Sequence, residues 1–148
     1  MVRQAHHKMH FTIHGDGGSR GNPGPSGAGA LIRDELGNAV ASVSRFLGVR
    51  TNNYAEYEAV IQAFATLQTL VPEGKQSRTT VEVKMDSELV VKQMKKEYKV
   101  KHPVLREQNA RLQKAAAPFK TVTFTHVPRA QNSDADALAN DAMDRGTN

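Results

Sequence analysis

Four acidic residues lie far apart in this chain, yet each stands where a regular element begins or ends. Asp16 follows the alternating stretch KMHFTIHG, Glu56 sits one turn into TNNYAEYEA, Asp86 joins TTVEVKM to DSELV, and Asp136 lies at the head of SDADALAND. Singly, each has an ordinary role: a turn residue, a solvated helix glutamate, a helix N-cap, a partner for a helix dipole. Brought together, they repel one another unless a cation is present. Such a cluster suits hard, oxygen-seeking ions such as Mg²⁺ or Mn²⁺. Two ions roughly 3.5–4 Å apart can hold the attacking and leaving oxygens of a phosphodiester in line. Metal-dependent phosphodiester cleavage is the chemistry such a set implies.

That chemistry depends on elements that bring the four residues to one place. Residues 8–16 alternate with Met9, Phe11 and Ile13 on one face, the period of a half-buried strand. A second strand runs from about Ala28, and a Gly37-Asn38 turn leads into AVASVSRF as its hairpin partner. Tyr57, Val60, Phe64, Leu67 and Val71 form a helical stripe with Asn53 as the expected N-cap, stopped by Pro72 and Gly74. TTVEVKM (79–85) reads as a fourth strand, passing directly into a helix from near Asp86. Pro103 opens a helix over 103–117, KTVTFTHV is a fifth strand, and a last helix spans Asn132 or Ser133 to Met143. The order βββαβααβα predicts an α/β fold: a five-stranded mixed sheet, three antiparallel strands then two parallel additions, flanked by helices. Strands one and four become neighbours through a crossover. Asp16 and Asp86 then share one end of the sheet, where ligands bind in such folds.

The glycine-rich stretch HGDGGSRGNPGPSGAGA (14–30) is flanked by strands, so it is no linker. It lacks the Lys-Ser/Thr ending of a P-loop, and a strand rather than a helix follows it, which excludes both common nucleotide cradles. A hairpin connection that lets another backbone come close is the simplest reading. At 148 residues the chain is expected to form a single domain with its core over about 9–145. No run approaches the ~20 apolar residues of a membrane span, and the N-terminus lacks the apolar core of a secretory signal. The absence of cysteine excludes disulfides and fits a reducing compartment, so a cytoplasmic location is expected. A net charge of +5 points to a polyanionic partner. Lys92, Lys95, Lys96 and Lys99 fall at helical spacing on one face, either a solvated side or a set of phosphate contacts. His6, His7, His10 and His14 match no metal-ligand spacing.

Taken with their order, DGGSRGNPGPSGAGA, TNNYAEYEA, MDSELV and HVPRAQNSDADALAN resemble the type 1 ribonuclease H family over roughly residues 9–145. The resemblance implies an endonuclease that cuts the RNA strand of RNA–DNA hybrids using two Mg²⁺ ions, with Mn²⁺ as a substitute. It assigns the metal-binding carboxylates to Asp16, Glu56, Asp86 and Asp136. It places Asn22, Thr51, Asn52, Asn53 and Ser87 on the hybrid, with Lys95, Lys96 and Lys99 as phosphate contacts and the glycines giving the duplex room. It gives His126 a part in proton transfer or product departure, beside the plainer role of a strand-end histidine bonded to backbone. A monomer needing no protein partner is implied. The short link YKVKHP and the lack of tryptophan resemble the compact branch without a basic, aromatic protrusion, and Glu88 stands where a glutamine often touches substrate. Two rival readings are a non-catalytic hybrid- or RNA-binding module on the same fold and a transposase- or resolvase-type nuclease, whose extra DNA-binding domain does not fit in 148 residues.

Overall fold

A computed structural model describes residues 9–148. Three strands come first: β1 (Met9–Ser19), β2 (Gly24–Arg33) and β3 (Ala39–Arg50). Helix α1 (Asn52–Leu70) leads through a short 3₁₀ turn to β4 (Thr79–Met85). Helices α2 (Glu88–Met94) and α3 (Pro103–Ala116), strand β5 (Thr121–His126), a second 3₁₀ turn (Arg129–Asn132) and helix α4 (Ser133–Arg145) complete the chain. The sheet order is β3-β2-β1-β4-β5, with β1–β2 and β2–β3 antiparallel and β4 parallel to both β1 and β5. The mixed five-stranded sheet expected from the sequence is the sheet observed. No described helix is long and apolar enough to cross a membrane.

Alternation along β1 divides the molecule. Phe11 and Ile13 face the main core with Tyr57, Val60, Phe64 and Leu67 of α1, Val81 and Val83 of β4, and Leu105 and Leu112 of α3. The other face of β1 and β2 packs against α4. Glycines make both contacts close. A Cβ on Gly17 would run into the backbone of Ala55 and Glu56, and Cβ atoms on Gly27 and Gly29 would meet the carbonyls of Ala139 and Ala135. The backbones that approach the glycine stretch are thus the protein's own helices. At Gly17, Gly27 and Gly29 this corrects the expectation that glycines make room for a duplex.

Other boundaries also moved. β2 begins at Gly24, four residues before Ala28, because the β1–β2 ladder continues past Asp16 as far as Ser19↔Ser26. The cap of α1 is Thr51, whose Oγ1 accepts from Tyr54 N at 3.2 Å, and not Asn53. Ser87 caps α2, accepting from Val90 N at 3.3 Å, so that helix starts two residues after Asp86. It stops at Met94: Lys96 takes a left-handed φ of 64°, and the N–H groups of Glu97 and Tyr98 turn back to Lys92 O at 2.9 and 3.2 Å.

Candidate active site

The crossover through α1 puts β4 beside β1, and their parallel pairing ends at Gly15↔Met85. Asp16 and Asp86 are the next residue of each chain, so they emerge side by side where the ladder stops. Contact with Gly17 brings the first turns of α1, and with them Glu56, against the same end. Close packing of α4 on β2 supplies Asp136, one turn into that helix. The four carboxylates line one cleft of about 310 Å³, with Asn52, Arg20, Arg129 and Asn140 among its walls.

Its electrostatics follow from burial and like charge. Asp16 is 6% exposed. Burial above all, then Asp86, Asp136 and Glu56, push its carboxyl up to about 8. Glu56 is pushed up to about 7 by burial and by Asp86, opposed by a hydrogen bond from Ser87. Asp136 lies close enough to Asp16 to favour the protonated form of the Asp16 carboxyl. Among the described residues no three acidic or histidine side chains close on a single point, so the protein holds the carboxylates facing one cleft rather than in a finished cage. The donor set is oxygen only, and it suits Mg²⁺ or Mn²⁺ over softer ions. Arg20 is engaged by Asp144 at 2.6 Å. Arg129 reaches Asp136 at 3.5 Å and brings a cation to the acidic set along this wall. Glu58, two residues on from Glu56, is buried as well but paired with Arg111 at 2.6 Å, which marks it as structural.

The polar residues assigned to the hybrid fall into two groups. Asn22 Oδ1 accepts from Asn52 N at 3.1 Å, and Asn52 Oδ1 accepts from Ser19 N at 2.8 Å. These bonds pin the β1–β2 hairpin to the head of α1, with Thr51 exposed and Asn53 half-buried beside them. Ser87 is buried, 7% exposed, and its hydroxyl serves Glu56 and the cap of α2.

The lysine stripe is not a helix face. Helix α2 ends before Lys95, and Lys95, Lys96 and Lys99 lie on the irregular turn that follows, with Lys95 beside Glu97 at 3.4 Å. Lys92 remains on the helix, where it pairs with Glu88 at 3.1 Å and lies 5.0 Å from the centre of the Tyr98 ring. Tyr98 also donates to Glu88 at 3.4 Å, so this acid is neutralised locally. His126 ends β5 opposite Met85 and is exposed; the side chain that its loop contributes to the cleft wall is Arg129. Neither Arg129 nor Arg20 was singled out from sequence, and HVPRAQNSD offered only its position seven residues before Asp136. His6 and His7 lie outside the described residues. His10 bonds to Thr80 Oγ1 at 2.6 Å and His14 to Asn132 Oδ1 at 3.2 Å, so the two do not form a metal pair. Burial holds the His14 imidazole below its ordinary range, against the raising effect of Asn132.

Sheet order, crossover and a carboxylate cleft at the switch between antiparallel and parallel pairing define a ribonuclease H-like domain. Residues 14–142 match the family described as reverse transcriptase-like. The chain is 40% identical over 129 residues to the ribonuclease HI of Halobacterium salinarum, covering 87% of this chain and 62% of that one. Its fold matches the N-terminal RNase H domain of Rv2228c from Mycobacterium tuberculosis, solved as a fusion with maltose-binding protein. That match has a TM-score of 0.83 at 41% identity, covering 90% of this chain and 98% of that one. LC11-RNase H1 from compost, solved in complex with an RNA/DNA hybrid, matches with a TM-score of 0.81 at 43% identity, covering 93% and 98%. The chain belongs to the reverse transcriptase-like family and, within it, to the ribonuclease HI proteins. It spans 36% of the length of the mycobacterial relatives it matches.

Proposed function

We propose that this chain is a divalent-metal-dependent endoribonuclease that hydrolyses the RNA strand of RNA–DNA hybrids. The observation that carries the reading is the meeting of Asp16, Glu56, Asp86 and Asp136 in one cleft, from elements up to 120 residues apart, at a cost in burial and like-charge repulsion. A pure binding module has no use for that cost. Asp16, Glu56, Asp86 and Asp136 would hold Mg²⁺, with Mn²⁺ as a substitute and two ions as the expected number. When bound, these ions supply Lewis acidity and charge neutralisation at the attacking and leaving oxygens of the phosphodiester. Ser87, beside Glu56, favours the charged form of its carboxyl. Asn22, Thr51, Asn52 and Asn53 form a polar rim suited to the 2′-hydroxyls of a wide, shallow groove, which is how RNA is told from DNA. Lys95, Lys96 and Lys99 add positive charge for the backbone. The hybrid bound by LC11-RNase H1 supports this substrate class.

Asp86→Asn tests the reading. It removes a proposed metal ligand and one negative charge together. Cleavage of a labelled hybrid in Mg²⁺ should vanish while hybrid binding persists or tightens. Near wild-type turnover in this variant would overturn the metal assignment.

A further inference from the structure

Asn132 is out of character for its position. It immediately precedes α4, where an asparagine ordinarily turns its side chain onto the free N–H groups of the helix. Here the side chain makes no such cap. It is 1% exposed and committed to the central strand instead. Nδ2 donates to Gly15 O at 2.7 Å, and Oδ1 lies 3.2 Å from His14 Nδ1. Because Gly15 O can only accept, the amide orientation follows from the first bond, and the second then requires a hydrogen on His14 Nδ1.

Gly15 is the residue before Asp16, and Asn132 stands one helical turn before Asp136. A bond between them therefore sets the separation of the strand carboxylate and the helix carboxylate. The other anchors of α4 lie further along the helix or are exposed. The buried residues of α4 are Ala135, Ala139 and Ala142, laid on Gly27 and Gly29. Alanine on glycine permits close approach, and the large side chain of α4 that lies against these strands, Met143, sits by Gly18 and Gly27 near the far end of the helix, two turns beyond Asp136. Ser44 Oγ donates to Leu138 O at 2.7 Å, and Arg145 reaches Ser44 toward the far end of α4. Arg33 meets Asp134 at 3.1 Å, but in an exposed pair.

We propose that Asn132 is a positioning residue that sets Asp136 against Asp16, with His14 holding its amide in register. The proposal rests on the metal-dependent reading above. Substitution at either residue should therefore disturb metal binding before it disturbs hybrid binding.

Three measurements decide it: Mg²⁺ affinity by calorimetry, kcat and KM for hybrid cleavage, and Tm in EDTA, for wild type, Asn132→Ala, His14→Leu and His14→Gln. Asn132→Ala should lose roughly 10–100-fold in Mg²⁺ affinity and in kcat, as outer partners of metal ligands commonly do, with KM for the hybrid within about threefold. His14→Leu keeps the bond to Gly15 and should lose less, about two- to tenfold, and His14→Gln, which restores a donor, should recover part of it. A purely structural role would lower Tm while leaving Mg²⁺ affinity and kcat at wild-type values below it, and that result overturns the proposal. If Asn132→Ala does not fold, His14→Leu against His14→Gln decides the question by the same two readouts. Wild type that binds no Mg²⁺ sinks the metal reading and this proposal together; wild type and variants that bind it equally sink the positioning role alone.

Discussion

Asp16→Asn should make the metal-free protein more stable, and increasingly so as pH rises. The Asp16 carboxyl lies at about 8 in the folded protein against 3.8 as its ordinary value. A raised folded value means that the native state holds the proton more tightly than the unfolded state. The stability contributed by this group is therefore fully present below pH 3.8 and is lost as pH climbs through 8. At ~1.4 kcal/mol per unit, the shift sets a ceiling of ~6 kcal/mol. Asparagine recovers only part of it, because its amide must find hydrogen-bond partners in a buried site. A gain of about 2–4 kcal/mol at pH 8.5 is expected, with less than ~1 kcal/mol at pH 4. For a chain of this length that is a rise in Tm of roughly 5–15 °C. The assay is thermal unfolding by circular dichroism in EDTA at pH 4 and pH 8.5, at constant ionic strength. Glu56, also raised, titrates in both proteins, and the relief of its repulsion with Asp16 adds to the gain at pH 8.5. In Mg²⁺ the wild type should gain ~1.4 kcal/mol when the ion is about tenfold above its Kd, and the variant much less. A difference in Tm that does not change with pH, or a variant less stable than wild type at pH 8.5, would refute the reasoning.

Gly17→Ala should cost at least ~3 kcal/mol and displace Glu56, because its new methyl meets the backbone of α1 rather than a side chain that can turn aside; denaturant unfolding reads the loss, and a cost below ~1 kcal/mol contradicts the close approach. Replacing Lys95, Lys96 and Lys99 together with alanine should weaken hybrid binding and reduce its salt slope by about 1–2. The reduction falls short of 3 because the three do not share a helix face, and an unchanged slope would leave them as solvated charge. His126→Ala should keep turnover within roughly tenfold of wild type, since the histidine is exposed outside the cleft wall; a loss of the 100-fold or more typical of general acid–base groups would restore it to the chemistry.

The four carboxylates were legible because each is tied to a local signal: the end of an alternating run, a helix stripe, a strand-to-helix junction. The βαβ crossover then brings β1 and β4 together by rule. What sequence did not reveal are features decided by tertiary contact. Thr51 rather than Asn53 caps α1, and only the bonds of Asn52 to Ser19 and Asn22 show why Asn52 is occupied elsewhere. Helix α2 ends at Met94 without glycine or proline, since Lys96 takes the left-handed position and Gln93 is drawn to Tyr57 at 2.7 Å. Helical spacing alone extends that helix through the lysines. The glycines of 17–29 were read as room for another backbone, but nothing local says that the backbone belongs to α1 and α4. Arg129 and Asn132 carry no periodic signal at all; their importance comes from where the second 3₁₀ turn delivers them.

The central claim is tested most directly by one substrate panel. Labelled RNA–DNA hybrid, RNA duplex and DNA duplex of the same sequence are each incubated with the protein in Mg²⁺ and in EDTA, and the products are resolved by length. The account predicts internal cuts in the RNA strand of the hybrid in Mg²⁺, none in EDTA, and no cleavage of the DNA duplex. A protein that binds the hybrid yet leaves it intact in Mg²⁺ and in Mn²⁺, or that cuts the DNA strand equally well, would contradict it.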